Sequence, residues 1–123
     1  MIVILAAMDV EVALLASKME QREEINLKGR VFTTGILCGH EAAVGASGVG
    51  KTNAANCTQM AIDYFKPDYL LHTGIAGSLT RDAGVLSIVL GEKLTFHDLD
   101  HRIMEKFFPF QTHFYSDEGL LKT

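Results

Sequence analysis

Gly45-Ala46-Ser47-Gly48-Val49-Gly50-Lys51-Thr52 lies between a short apolar run, Ala42-Ala43-Val44, and a helix-like segment from Asn53 to Phe65. How this stretch is read decides the fold. Glycine lets a backbone turn tightly and leaves no Cβ in the way of a ligand. A helix starting here would aim free N–H groups and a partial positive charge into the turn. Taken literally, Gly45 to Thr52 satisfies G-x-x-x-x-G-K-[ST], the phosphate-cradling P-loop pattern. Taken plainly, it is a helix start that needs glycine for its turn. The neighbouring elements choose between the two.

Upstream, residues 20–44 carry three strand-like runs: Glu23–Leu27, Arg30–Cys38 and Glu41–Val44. Lys28-Gly29 and Gly39-His40 supply turns between them, which predicts an antiparallel meander. A P-loop follows a buried parallel strand instead. It also needs a strand that ends in a magnesium-holding aspartate; Asp68 begins its strand, and Glu92 is a loose substitute. Downstream, Ala54, Cys57, Ala61 and Phe65 fall on one helix face. Lys66-Pro67-Asp68 stops that helix, because proline disfavours α geometry in the residue before it. Asp68–Thr73 then reads as a strand running into a second glycine turn, Gly74-Ile75-Ala76-Gly77-Ser78.

At the start of the chain, residues 1–7 are continuously apolar, as in a strand buried on both faces. Met8, Val12, Leu15 and Met19 follow as one apolar helix stripe. Asp9 and Glu11 fall in the first turn of that helix, where the dipole favours negative charge. Glu11 also stands where α/β sheets place their ligands, just past the carboxyl end of a strand. Val85–Thr95, apolar and partly β-branched, predicts one long strand. Residues 101–115 are aromatic-rich and irregular, and predict a segment that folds onto the core or covers a neighbouring subunit. Ser116-Asp117-Glu118 reads as a helix start, with Leu120 and Leu121 on its apolar face. The sequence stops at Thr123, in mid-element by this expectation, because a one-turn helix does not stand alone.

The bulk numbers set the class. A chain of 123 residues makes one domain at most, or a piece of one. Hydrophobic residues at 48% and charged ones at 21% suit a globular protein rather than a disordered one. A net charge of −4 gives no reason to expect nucleic acid or an anionic membrane as partner. The first apolar run is too short to span a bilayer and lacks a basic leader. Cys38 and Cys57 form no CxxC pair and are too few for a disulfide framework, which predicts reduced thiols in a cytoplasmic protein. His97, Asp98 and Asp100 are metal-ligand types, yet no second cluster completes a site, so a hydrogen-bonded polar loop is expected.

Together the motifs resemble one family. Ala6-Ala7-Met8-Asp9-Val10-Glu11-Val12 resembles the G-A-M-x-x-E-V opening of 5′-methylthioadenosine/S-adenosylhomocysteine nucleosidases. Ser47-Gly48-Val49-Gly50-Lys51 is similar to their S-G-I-G-K turn, and Thr73-Gly74-Ile75-Ala76-Gly77 to their T-G-S-A-G. Phe96-His97-Asp98-Leu99-Asp100 resembles their Y-H-D-x-D, and Lys66-Pro67-Asp68 their K-P-D. The resemblance covers the whole chain but only about the N-terminal half of the family's fold. It implies a three-layer α/β/α domain around a mixed sheet, shared with purine nucleoside phosphorylases, of which residues 1–123 form the N-terminal part. It implies hydrolysis of the N-glycosidic bond of 5′-thio-substituted adenosines, in a cytoplasmic homodimer with no metal and no cofactor.

By position, Glu11 would orient and deprotonate the attacking water. A carboxylate beside an oxocarbenium-like sugar can also offset its charge. Met8, Val49, Ile75, Ala76 and Gly77 would line the nucleoside pocket. Met104, Phe107, Phe108 and Pro109 would reach into the partner subunit's alkylthio pocket. Ile75 stands where the family often has serine, Ala6 replaces a common glycine, and Leu86-Ser87 replaces the usual Gly-Asp. The family's ribose-gripping Met-Glu, its adenine-stacking aromatic and its leaving-group Asp belong to the second half. These 123 residues alone are therefore expected to be weakly active or inactive. A phosphorylase would need cations around phosphate. His72 stands where related phosphorylases carry arginine, so water is the expected nucleophile.

Overall fold

The computed structural model describes residues 1–104, 106 and 111–122. They divide into two compact units, Met1–Gly77 and Ser78–Thr123. The first is built around β1 (Ile2–Ala6), an interior strand of a mixed five-stranded sheet. After β1 come α1 (Asp9–Lys18), β2 (Glu20–Leu27), β3 (Arg30–Leu37), β4 (His40–Ala46), α2 (Lys51–Phe65) and β5 (Tyr69–His72). The strand order is β2-β3-β4-β1-β5. The meander β2-β3-β4 is antiparallel. β1 runs parallel to both its neighbours, pairing Ile4 with Val44 on one side and with Leu71 on the other.

The uninterrupted apolar character of β1 follows from this position. Successive strand side chains point to opposite faces. Val3 and Leu5 join Phe32, Ala43, Cys57 and Ala61 in the cluster on the α2 side. Ile4 and Ala6 join Val12, Met19, Ala42 and Val44 in the cluster on the α1 side. A strand with a helix layer on each face has no solvent side, so it carries no polar alternation. Each fully buried Val, Ile or Leu contributes about 1.5–3 kcal/mol relative to exposure. This is the three-layer α/β/α arrangement around a mixed sheet that the resemblance implied.

Chain order marks the carboxyl ends of these strands as the place where a sheet of this kind offers a crevice to a ligand. From β1 the chain returns on one side to β4, then crosses α2 to β5 on the other side. Where connections diverge in this way, the loops part and leave a crevice outside the carboxyl ends. The ladder continues past the last paired residues, with Ser47 N donating to Ala6 O at 2.8 Å and Thr73 N to Leu5 O at 2.9 Å. Both glycine-containing turns are thereby fixed beside the end of β1.

β4 departs from the sequence expectation. It pairs with β3 in the meander and also runs parallel to β1, with Ala42 to Gly45 buried. An antiparallel neighbour in sequence does not show which strand will occupy the other edge. α2 begins at Lys51 and stops at Lys66, which takes left-handed geometry (φ 48°) just before Pro67.

The second unit differs more. Val85–Thr95 is not one strand. Only β6 (Lys93–Thr95) pairs, antiparallel with β7 (His113–Tyr115). Val85, Leu86, Ile88, Val89 and Leu90 are exposed and lie outside any strand. Apolar, β-branched composition supplies the preference for a strand, but the ladder needs a hydrogen-bonding neighbour, and none of the described residues provides one. The expected irregular segment 101–115 contains α3 (His101–Met104) and β7. The edge-on contact of Phe96 with Phe114, ring centroids 5.6 Å apart, packs the small sheet. Asp117, not Ser116, caps α4 (Glu118–Leu121), its Oδ1 accepting from Gly119 N and Leu120 N. Ser116 Oγ instead donates to Gly91 O.

Candidate active site

Glu11 lies in the first turn of α1, and its carboxylate bridges two segments far apart in sequence. Oε2 accepts from Met8 N at 2.9 Å, the backward reach of a third-position glutamate in a capping box. Oε1 accepts from Ile75 N at 3.0 Å, across 64 residues. The side chain thus meets the helix-terminus role and also ties the end of β1 to the turn after β5. Gly74 makes this possible. A Cβ there would stand 2.9 Å from Glu11 Oε1, so a side chain at this position would displace the carboxylate from where it lies.

These backbone donors fix the charge state. The N–H of Ile75, then that of Met8, hold the Glu11 carboxyl below the usual carboxylate range. Burial opposes them, and the Ala7 N–H and the nearby His72 add to them. Glu11 is therefore ionised at neutral pH. Each carboxylate oxygen has two lone pairs, so each keeps capacity for a further donor such as water. A carboxylate held this acidic contributes more through orientation and negative charge than through proton affinity.

Met8 and Ile75 are thus brought directly to Glu11. Ala76 and Gly77 continue exposed from Ile75 and close the first unit. Val49 stands on the turn after β4, its side chain 69% exposed at the same end of the sheet. Met104 is the last residue of α3, in the second unit. Phe107, Phe108 and Pro109 lie outside the described residues. Among the described residues no three or more His, Cys, Asp or Glu side chains cluster as a metal site. Asp100 pairs with Arg102 through both carboxylate oxygens, at 3.1 and 3.0 Å, in keeping with a polar loop.

The P-loop pattern loses its first glycine to the sheet. Gly45 belongs to β4, and a Cβ there would stand 2.7 Å from the Phe32 ring. It is glycine because an aromatic ring fills its space, not to cradle phosphate. β4 does have a parallel neighbour, β1, and it is the Phe32 ring that accounts for Gly45. The turn proper is Ser47 to Gly50, and Lys51 is the first residue of α2.

Sequence reasoning missed Arg30 and Asn53. Arg30 Nη2 donates to Asn53 Oδ1 at 2.8 Å, and both sit against the glycine turn. No local signal marks Arg30, because a hairpin brings it there from a position 23 residues away. The importance of Gly74 was legible only as part of a motif.

A sequence profile of the phosphorylase superfamily matches residues 1–123. The 5′-methylthioadenosine/S-adenosylhomocysteine nucleosidase of Geobacillus thermodenitrificans (strain NG80-2) is 43% identical over 97 residues, 79% of this chain and 41% of the relative. That of Staphylococcus aureus (strain JH9) is 40% identical over 100 residues, 81% of this chain and 44% of the relative. The chain therefore spans less than half the length of these curated relatives. A solved nucleosidase of the same name from S. pneumoniae, with a transition-state inhibitor, matches with a TM-score of 0.90 at 30% identity. That match covers 98% of this chain and 54% of the other. With a mixed sheet whose carboxyl ends gather Glu11 and two glycine turns, and a profile match along its whole length, the chain belongs to the phosphorylase superfamily.

Proposed function

We propose that the chain serves the hydrolysis of the N-glycosidic bond of 5′-methylthioadenosine or S-adenosylhomocysteine, releasing adenine and a thioribose. The observation that carries this is the Glu11 carboxylate, fixed by Met8 N and Ile75 N at the carboxyl ends of β1 and β5. There it places water and offsets the positive charge of an oxocarbenium-like sugar. Met8, Val49, Ile75, Ala76 and Gly77 form the apolar and backbone surface against the nucleoside. The relatives carry the names of nucleosidases acting on these two compounds, which supports the choice of substrate class.

The finer assignments belong to the same proposal. Residues 1–123 are the N-terminal part of one nucleosidase domain that works as a cytoplasmic homodimer in methionine salvage, without metal or cofactor. Met104, Phe107, Phe108 and Pro109 reach the partner's alkylthio pocket. Both cysteines are free, in keeping with a reducing compartment, and no helix among the described residues is long and apolar enough to cross a membrane. The resemblance assigns the leaving-group acid to residues outside this sequence, so the 123 residues alone bind nucleoside and release adenine slowly at best. General acid catalysis is worth about a hundred- to ten-thousand-fold.

Adenine release from methylthioadenosine, followed with the chain in excess over nucleoside, tests the assignment. Glu11→Gln is expected to lower the single-turnover rate by about a hundredfold or more. Release that is unchanged in Glu11→Gln contradicts the proposal.

A further inference from the structure

Arg30 opens β3 at the tip of the β2–β3 hairpin, and its half-buried side chain lays the guanidinium against the glycine turn. A Cβ at Gly48 would stand 2.7 Å from Nη1, and Gly48 has a φ of +83°. Nη2 donates to Asn53 Oδ1 at 2.8 Å, and Asn53 Nδ2 donates to the carbonyl of Val49 at 2.8 Å. One amide thus relays between a guanidinium and the backbone of the turn, using its acceptor on one side and its donor on the other. Arg30 and Gly48 also share the wall of a cavity of about 280 Å³ with Ala7, Asp9 and Ala46.

The turn requires such support. Val49 stands between two positive-φ glycines, Gly48 and Gly50. Glycine has the widest conformational choice of any residue, so a Gly-Val-Gly turn left to itself would spread over several shapes. Fixing one shape before a ligand arrives removes an ordering cost from binding. Arg30 suits the task because its planar fork sets two nitrogens at fixed spacing, one against Gly48 and one on Asn53.

We propose that Arg30 is a positioning residue: acting through Asn53, it holds the Ser47–Gly50 turn in the shape that presents Val49 to the nucleoside. This role presupposes the nucleoside site proposed above. It takes Arg30 as a brace and not as an anion ligand.

The test is calorimetric titration of the 123-residue chain with 5′-methylthioadenosine, together with amide hydrogen exchange at Gly48, Val49 and Gly50. Arg30→Ala and Asn53→Ala are each expected to weaken binding about three- to tenfold. The double variant is expected to be no weaker than either single one, because both break the same relay. Arg30→Lys, which keeps one donor, restores part of the affinity. Exchange at the three turn amides quickens in Arg30→Ala while that of the β1 amides stays unchanged. Unchanged exchange at the turn overturns the proposal, as do effects of the two single variants that multiply in the double. Inorganic phosphate that binds the chain and is lost on Arg30→Ala overturns it too, making Arg30 an anion ligand. If the wild-type chain binds no nucleoside, the nucleoside site fails by itself. The exchange result then still decides whether Arg30 braces the turn.

Discussion

Ile2 to Ala6 and Val85 to Leu90 are both apolar runs rich in β-branched residues, broken only by Ser87 in the second. Val3 is 0% exposed and Ile88 is 94% exposed. The difference lies in what surrounds them, not in their side chains. β1 has a parallel strand on each edge and a helix layer on each face. Val85–Leu90 has no ladder partner among the described residues. An apolar run states a demand for burial. Whether the demand is met depends on strands brought from elsewhere in the chain. The proposed site follows the same division, because Glu11 in the first turn of α1 and Val49 and Ile75 in the turns after β4 and β5 all lie at the carboxyl ends of the buried strands.

Substitutions in the buried run break the comparison most sharply. Leu5→Ala empties a fully buried position between Cys57, Phe32 and their neighbours and is expected to cost about 2–5 kcal/mol. Urea unfolding midpoints, with slopes unchanged, would measure it. Gly74→Ala comes next. Its methyl would stand 2.9 Å from Glu11 Oε1 and displace the carboxylate from Ile75 N, a loss of one hydrogen bond worth about 0.5–1.5 kcal/mol. Thermal unfolding reads the stability loss, and a parallel loss of nucleoside affinity ties it to the site.

A pH series gives a smaller effect. The folded Glu11 carboxyl is more acidic than its ordinary value of 4.5, so its ionisation favours the fold. That contribution is complete above the ordinary value and is lost as pH falls through the lower folded one. Wild-type minus Glu11→Gln stability, followed from pH 7 downward, is expected to stay flat and then shrink below about 4.5. A difference that shrinks between pH 7 and 5 would contradict the hydrogen bonding seen here. Ile88→Ser should do least, within about 0.5 kcal/mol, because the side chain is already in water. A large loss there would show that the exposed run is buried in the working protein.

The same contrast separates what was legible in the sequence from what was not. β1 and α2 were readable because burial leaves a period: a continuous run for a two-faced strand, a 3.6 spacing for a helix stripe. The stripe expected for α1 holds in part, with Val12 buried inside the helix, Met19 buried just past its end and Met8 exposed ahead of it. The second pairing of β4 with β1 was hidden, since parallel partnership is a long-range property with no local mark. Val85–Thr95 was read as a strand from composition alone, and only Lys93–Thr95 found a partner. At the site, Glu11 was legible twice, as a first-turn acid and through its motif, and the structure places it in the first turn of α1 with its carboxylate also held by Ile75 N. The Ser47 to Lys51 turn was legible through its motif, whereas the place of Gly45 inside β4 under the Phe32 ring was not. Arg30 and Asn53 carry no pattern, because a hairpin and a helix start make them neighbours.

We propose that the carboxyl ends of β1, β4 and β5 hold a thio-adenosine nucleoside around Glu11. Backbone amide chemical shifts, recorded while 5′-methylthioadenosine is titrated into the chain without magnesium, test it most directly. The largest shifts are expected on Met8, Glu11, Val49 and Ile75 to Gly77, with a weaker response in Glu11→Gln. Shifts absent from these residues, or shifts at Gly45 to Thr52 that need Mg-ATP and vanish in Lys51→Ala, would contradict it.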